Sequence, residues 1–173
     1  MLSPDQLISM LEKYDNGLVV NKHEALFTVE DSKKLRGKIK GAHSKNLFLK
    51  NKKNNFFLIS CEEFEKVDLK KISKGLGLGN ISFAKEEYLK EHLGILPGSV
   101  SPFALLNDKN NVVNFYLEKK LYESTLINFH PLINTVTTTM KTQKFIEFMI
   151  EKNKKIHIFS SFNQKIIKSY EPN

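Results

Sequence analysis

The chain opens on Ser3-Pro4-Asp5-Gln6, and Leu7, Met10, Leu11 and Tyr14 follow at helical spacing. That is a capping box with proline at the first helical position, so the pattern predicts an amphipathic helix ending near Tyr14. Asp15-Asn16-Gly17 is a turn signal; Leu18-Val19-Val20 with His23 predicts a short strand leading to a second helix over about 30–39, ending near Gly37 or Gly41. The segment 42–49 ending in Leu47-Phe48-Leu49, the lysine and asparagine cluster over 50–55, and the apolar run 56–60 predict a β-hairpin.

Beyond the hairpin the pattern predicts a helix over 68–74, a strand near Ile81, a helix over 84–92 and a loop containing Pro97 and Pro102. Asn107-Asp108-Lys109-Asn110 is a turn feeding a strand over 112–117, with short strands near Leu126 and Val136. A helix over 142–151, whose Phe145, Phe148 and Met149 form a core-facing stripe, and a strand over 156–159 complete the list. Residues 1–162 read as one domain and 163–173 as a polar tail expected to fray. Strands and helices alternate without a regular βαβ period. The expected class is therefore α/β in the α+β sense, a mixed, largely antiparallel sheet with helices around it.

Composition sharpens this only in part. The 40% hydrophobic content and 13 phenylalanines of the 173 residues argue for a packed core. No apolar run is long enough for a membrane helix, and Met1-Leu2-Ser3-Pro4-Asp5 has neither a basic region nor a signal segment, so the expectation is a cytoplasmic protein with no membrane partner. Cys61 is the only cysteine, which excludes an internal disulfide and a Cys/His zinc set. The net charge of +8 suggests a polyanionic partner. Because Arg36 is the only arginine and Lys, Asn and Ile abound throughout, that charge also fits a gene rich in A and T.

Three elements carry candidate chemistry. In the hairpin strand His43, Lys45, Leu47 and Leu49 share a parity, so Lys45 points with two leucines, either snorkelling from a sheet margin or meeting an anion in a pocket. His130 precedes Pro131, which holds it extended; alone, it is an ordinary loop histidine. The stretch Gly94-Ile95-Leu96-Pro97-Gly98-Ser99-Val100-Ser101-Pro102 is a loop whose backbone a ligand can approach closely, and such loops are common.

In this order and spacing the three elements resemble the YbaK and prolyl-tRNA synthetase editing-domain family, over about 6–159. The matching stretches are His23-Glu24-Ala25, Ala42-His43-Ser44-Lys45-Asn46-Leu47-Phe48-Leu49, Lys74-Gly75-Leu76-Gly77, Gly98-Ser99-Val100-Ser101-Pro102-Phe103 and His130-Pro131-Leu132-Ile133-Asn134-Thr135. Lys45-Asn46 with His130-Pro131 is most similar to the free-standing Ala-specific deacylases.

The resemblance implies a YbaK-like fold and hydrolysis of the ester joining a misattached amino acid to the terminal adenosine of tRNA, most closely Ala-tRNA for proline. A proline pocket cannot exclude the smaller alanine, since a missing methylene is worth only about 1–3 kcal/mol, and a second sieve is needed. It further implies that Lys45 holds a terminal phosphate or ribose, and that the backbone of Gly98, Ser99, Val100, Ser101 and Pro102 binds the ammonium or polarises the carbonyl. His130 would orient water or the adenosine, and Asn46 and Asn134 would add polar contacts. The substrate's ribose hydroxyl would assist the water, so no side chain is assigned as general base. No cofactor and no metal are implied. The implied partner is the acceptor end of tRNA, with lysines such as Lys50, Lys52 and Lys53 on a rim around Lys45, and with prolyl-tRNA synthetase or elongation factor aiding recognition.

Rival readings are a Cys- or Ser-tRNA deacylase of the same family and a non-catalytic tRNA-binding module. Gly75-Leu76-Gly77-Leu78-Gly79-Asn80 lacks the spacing and preceding strand of a dinucleotide fingerprint, and no Gly-x-Ser-x-Gly elbow supports a serine triad. The five histidines show no paired metal-ligand spacing on one helix.

Overall fold

The computed structural model describes residues 1–25, 30, 33 and 38–172. The first helix, α1 (Pro4–Tyr14), begins with both arms of its capping box made: Ser3 Oγ accepts from the Gln6 amide at 3.2 Å and Gln6 Oε1 from the Ser3 amide at 2.9 Å. Leu7 and Leu11, one turn apart, are fully buried by this start.

The strands form two sheets. β1 (Val19–Lys22), β6 (Leu126–Phe129) and β7 (Val136–Lys141) make a three-stranded antiparallel sheet in the order β1-β7-β6. The larger sheet takes β2 (Ser44–Asn51), β3 (Phe56–Glu62), β4 (Ile81–Phe83), β5 (Val113–Glu118), β8 (Ile156–Ser160) and β9 (Lys165–Tyr170), in the order β4-β2-β3-β5-β8-β9. Only β3–β5 and β5–β8 are parallel in it. Ala42, just ahead of β2, bridges to Ile127 of β6 and so ties the two sheets together.

The hairpin turn is built by Asn51, whose Oδ1 accepts from the amides of Lys53 and Asn55 at 2.9 and 3.0 Å, while Asn54 takes positive φ. Phe56 to Cys61 of β3 are all buried because the sheet is covered on both faces. Phe48, Phe56 and Leu58 pack into the main core with α1 and with α5 (Thr142–Glu151). Leu49, Phe57, Ile59 and Cys61 pack on the other face under α2 (Leu69–Leu76), through Ile72 and Leu78.

Several expectations are revised. The second helix over 30–39 lies largely outside the described residues. The helix expected over 84–92 is a single turn, α3 (Glu86–Tyr88), running into a π-helical turn over Leu89–Leu93 that Gly94 stops in the left-handed region. The loop containing Pro102 closes into a 3-10 helix over Pro102–Asn107, and a short helix, α4 (Lys119–Glu123), follows β5. The tail expected to fray instead forms β9, paired antiparallel with β8. Its residues are polar or exposed because it is an edge strand.

Candidate active site at the end of strand β6

Asn128 of β6 organises this region. Its Nδ2 donates to the carbonyls of Lys40 and Ala42 at 2.9 and 3.2 Å, and its Oδ1 accepts from Thr139 Oγ1 at 2.5 Å. The segment entering β2 is thereby pinned against β6 and β7. From β2 a relay reaches the same strand: Ser60 Oγ donates to Asn46 Oδ1 at 2.6 Å, Asn46 Nδ2 to Ser44 Oγ at 3.3 Å, and Ser44 Oγ to the Asn128 carbonyl at 3.2 Å. Asn46 therefore has a fixed amide orientation, on the main-core face of β2.

His130 lies two residues beyond Asn128, where β6 ends. Its Nδ1 is 2.8 Å from the Val136 carbonyl, which can only accept, so Nδ1 carries the proton and Nε2 of the neutral ring is an acceptor. Burial chiefly, opposed by that carbonyl bond and aided by His23 and His43, holds the imidazole below its ordinary 6.5. The His23 ring lies 6.0 Å from that of His130, with its Nδ1 on the Glu24 carbonyl and its Nε2 on Thr137 Oγ1. His43 donates from Nε2 to the Ile39 carbonyl. Among the described residues no group of His, Cys, Asp and Glu is arranged to hold a metal ion.

The glycine-proline loop reaches the same place through its far end. Leu96-Pro97-Gly98-Ser99 is a β-turn closed by the Ser99 amide on the Leu96 carbonyl at 3.1 Å, and Gly98 supplies the φ of +86° that a side chain would resist. Ser99 and Ser101 are buried, and Ser101 Oγ caps the Phe103 amide. Phe103 then packs edge-on against Phe129, next to His130, at 5.9 Å between centroids. The backbone amides of Val100 and Ser101 make no hydrogen bond among the described residues. Asn134 sits half-buried in the turn between β6 and β7.

Of the residues singled out from sequence, Asn46 is tied through Ser44 to Asn128 of β6, His130 and Asn134 follow that strand, and the 98–102 loop leads into Phe103, which packs on Phe129. Lys45 leaves β2 on the opposite face, directly across from Cys61, and its Nζ donates to the Glu65 carbonyl. Lys50, Lys52 and Lys53 do not surround it: the hairpin turn is at the other end of β2, about 17 Å away for five extended residues. The sequence reading missed Asn128, Ser60 and Thr139. A lone asparagine between Ile127 and Phe129 in an apolar strand was the available signal, since an inward polar side chain there needs partners.

Comparison with known proteins identifies the class. The family model for the aminoacyl-tRNA editing domain matches residues 23–148, which takes in β2, β6, the 98–102 loop and His130. The chain belongs to the aminoacyl-tRNA editing domain family. It is 36% identical over 149 residues to the Prolyl-tRNA synthetase associated domain-containing protein 1 of Xenopus laevis, covering 83% of this chain and 88% of that one. It is 28% identical over 148 residues to the Prolyl-tRNA editing protein ProX of Acetoanaerobium sticklandii, covering 85% and 90%. The fold matches, at TM-score 0.64 and 19% identity over 84% of this chain and 91% of the other, a crystal structure of a candidate trans-editing enzyme for prolyl tRNA synthetase. No helix among the described residues is long and apolar enough to cross a membrane.

Proposed function

We propose that this chain is a trans-editing deacylase that hydrolyses the ester of mischarged Ala-tRNA(Pro). What supports the reading is a loop whose Val100 and Ser101 backbone amides make no hydrogen bond among the described residues, together with a histidine whose Nε2 is an acceptor. Family membership and the prolyl-tRNA names of the relatives point to the same substrate class.

In this mechanism the loop amides face the ester carbonyl oxygen and stabilise the charge it gains as water attacks. His130 Nε2 accepts a hydrogen bond from the attacking water or from the substrate's ribose hydroxyl, and the amide of Asn46, held by Ser60 and Ser44, orients the adenosine end together with Asn134. Lys45, on the other face of β2, holds the acceptor end from that side, exchanging the Glu65 carbonyl for a terminal phosphate or ribose oxygen. The carbonyl carbon gains the water oxygen, its bond to the ribose oxygen breaks, and that oxygen takes up the proton. Alanine and free tRNA are the products.

Deacylation of labelled Ala-, Ser-, Cys- and Pro-tRNA by the wild type and by Lys45→Ala, under matched conditions, tests this. Selective loss of the Ala ester, abolished in the variant, is the expected result. A preference for Cys or Ser esters would move the chain to a sister specificity, and no hydrolysis of any ester would leave a tRNA-binding module.

A further inference from the structure

The lysines of this chain are not distributed alike. Lys119, Lys144, Lys152 and Lys155 lie 3.5, 3.1, 2.9 and 2.6 Å from Glu123, Glu147, Glu151 and Glu171, and Lys120 pairs with Glu65. Helix α2 differs: its eight residues, Leu69–Leu76, include Lys70, Lys71 and Lys74 and no acid, and all three lysines are exposed. The acid next to it, Asp68, is turned onto the helix's own amides at Lys70 and Lys71. Like charges at i,i+4 and i,i+3, as Lys70 and Lys71 are to Lys74, repel one another and destabilise an isolated helix, which an anionic partner would reverse.

Two further observations give this face a direction. Lys70 and Lys74 line an open groove of about 420 Å³ with Ser73, Asn80 and the backbone of Gly77 and Gly79, and no carboxylate is in its lining. The glycine cluster that fails as a dinucleotide fingerprint thus forms the floor of a cationic groove. On the neighbouring side Lys71 lines a cavity of about 460 Å³ with Cys61 and Glu65, the residue whose carbonyl holds Lys45. Helix α2 covers the face of β2 from which Lys45 projects. Lys45 is thus bonded to a residue of the cavity that Lys71 lines together with Glu65 and Asp68, and Lys70 and Lys74 line the groove along the same helix.

We propose that this lysine face of α2 is the docking surface for the phosphate backbone of the tRNA acceptor arm, continuing the contact made by Lys45. It rests on the reading that the substrate is an aminoacyl-tRNA. Of the neighbouring carboxylates, Glu65 is paired with Lys120, and Asp68 is turned onto the helix amides and away from the groove lining. Cations one helical turn apart suit successive phosphates of one strand, and the interaction is independent of base sequence.

The test uses uncharged tRNA(Pro) transcript as probe, with binding followed by fluorescence anisotropy across a salt series. The Lys70→Gln/Lys74→Gln variant is compared with Lys152→Gln/Lys155→Gln, which removes the same charge elsewhere. At about 0.1 M salt the α2 variant is expected to bind about tenfold more weakly, and its log K against log salt slope to be shallower by about two. The control should remain within about twofold of wild type. Equal loss in both variants, no loss in the α2 variant, or no measurable binding by the wild type overturns the proposal. Lys70, Lys74 and Lys155 are exposed and Lys152 is half-buried over the Phe148 ring, and circular dichroism of both variants is expected to match wild type. Hydrolysis separates the two readings: a chain that binds through α2 but cleaves no ester refutes the deacylase and keeps this surface, whereas cleavage indifferent to α2 does the reverse.

Discussion

His130 shows how one backbone atom settles the chemistry of a side chain. The Val136 carbonyl fixes the proton on Nδ1, and burial favours the neutral ring, so the folded protein presents an acceptor at Nε2. The linkage follows in sign. With the folded value lowered from 6.5, the stabilisation is fully present above that pH, and it is lost as pH falls through 6.5 toward the folded value, because the unfolded chain takes up the proton first. His157, also lowered by burial, adds in the same direction. Unfolding free energy should therefore fall on acidification below about pH 6.5, more steeply in the wild type than in His130→Gln, with urea titrations at several pH values as the check. A histidine NMR titration showing His130 protonated at its ordinary value would contradict this account. Cys61 offers a second check, since burial pushes its thiol up to about 12. It should ignore a disulfide reagent at pH 8 in the native protein and react fully once the chain is unfolded. At this scale the sequence showed which residues to look at, and the parity of Lys45 with Leu47 and Leu49 held. What it did not show was partnership: Asn46 is oriented by Ser60 and Ser44, which lie in other positions of a hairpin whose register had to form first.

Elements were legible where a local signal and burial agreed. The capping box of α1 and the apolar stripe of α5 were read from residues within one or two turns, and the helix expected over 68–74 is α2, where the structure adds Asp68 as the cap. The segment 84–92 misled because its acidic and aromatic residues suit a helix, whereas the Gly94 stop and the packing of Leu89 and Leu93 wind its second half as a π turn. Two substitutions test how elements are held. Asn128→Ala takes the side-chain partner from the Lys40 carbonyl and from the buried Thr139 hydroxyl, while the Ala42 carbonyl keeps the backbone amide of residue 128. The expected loss is about 3 kcal/mol by urea unfolding with an unchanged m-value; a loss of a few tenths would mean the β2 entry is held by something else. Gly75→Ala sets two effects against each other. Alanine favours a helix by about 1 kcal/mol, but its Cβ would fall within contact of the Cβ and carbonyl oxygen of Gln164, so α2 must shift. Overpacking of that kind costs about 1–3 kcal/mol, and the substitution should be net destabilising in the same assay.

At the scale of the whole molecule, strand order was the least legible feature. Parallel pairing of β3 with β5 and of β5 with β8 depends on what crosses over between them, and for β5 to β8 that crossover contains the entire three-stranded sheet apart from β1. No local pattern encodes such an arrangement, although a mixed and largely antiparallel class could be inferred from the irregular alternation of elements. The last strand is the clearest case. Lys165 to Ser169 are all exposed, so neither parity carries a buried stripe, and the segment reads as a tail; it is ordered by the edge it covers and not by a face it buries. That edge is β8, whose Ile156, Ile158 and Phe159 are fully buried. Tyr170 adds a hydroxyl contact to Tyr122 at 2.8 Å, and Gln164 backs Gly75 of α2. Deleting 163–173 should consequently remove little apolar burial while exposing the backbone ladder of an apolar strand, which is a template for pairing with a second chain. The deletion variant is expected to form concentration-dependent oligomers in size-exclusion chromatography with light scattering, and to unfold at a lower temperature than the full chain. A variant that stays monomeric and unfolds with the wild type would show that β9 neither guards the edge nor supports α2, and that the sheet is complete at β8.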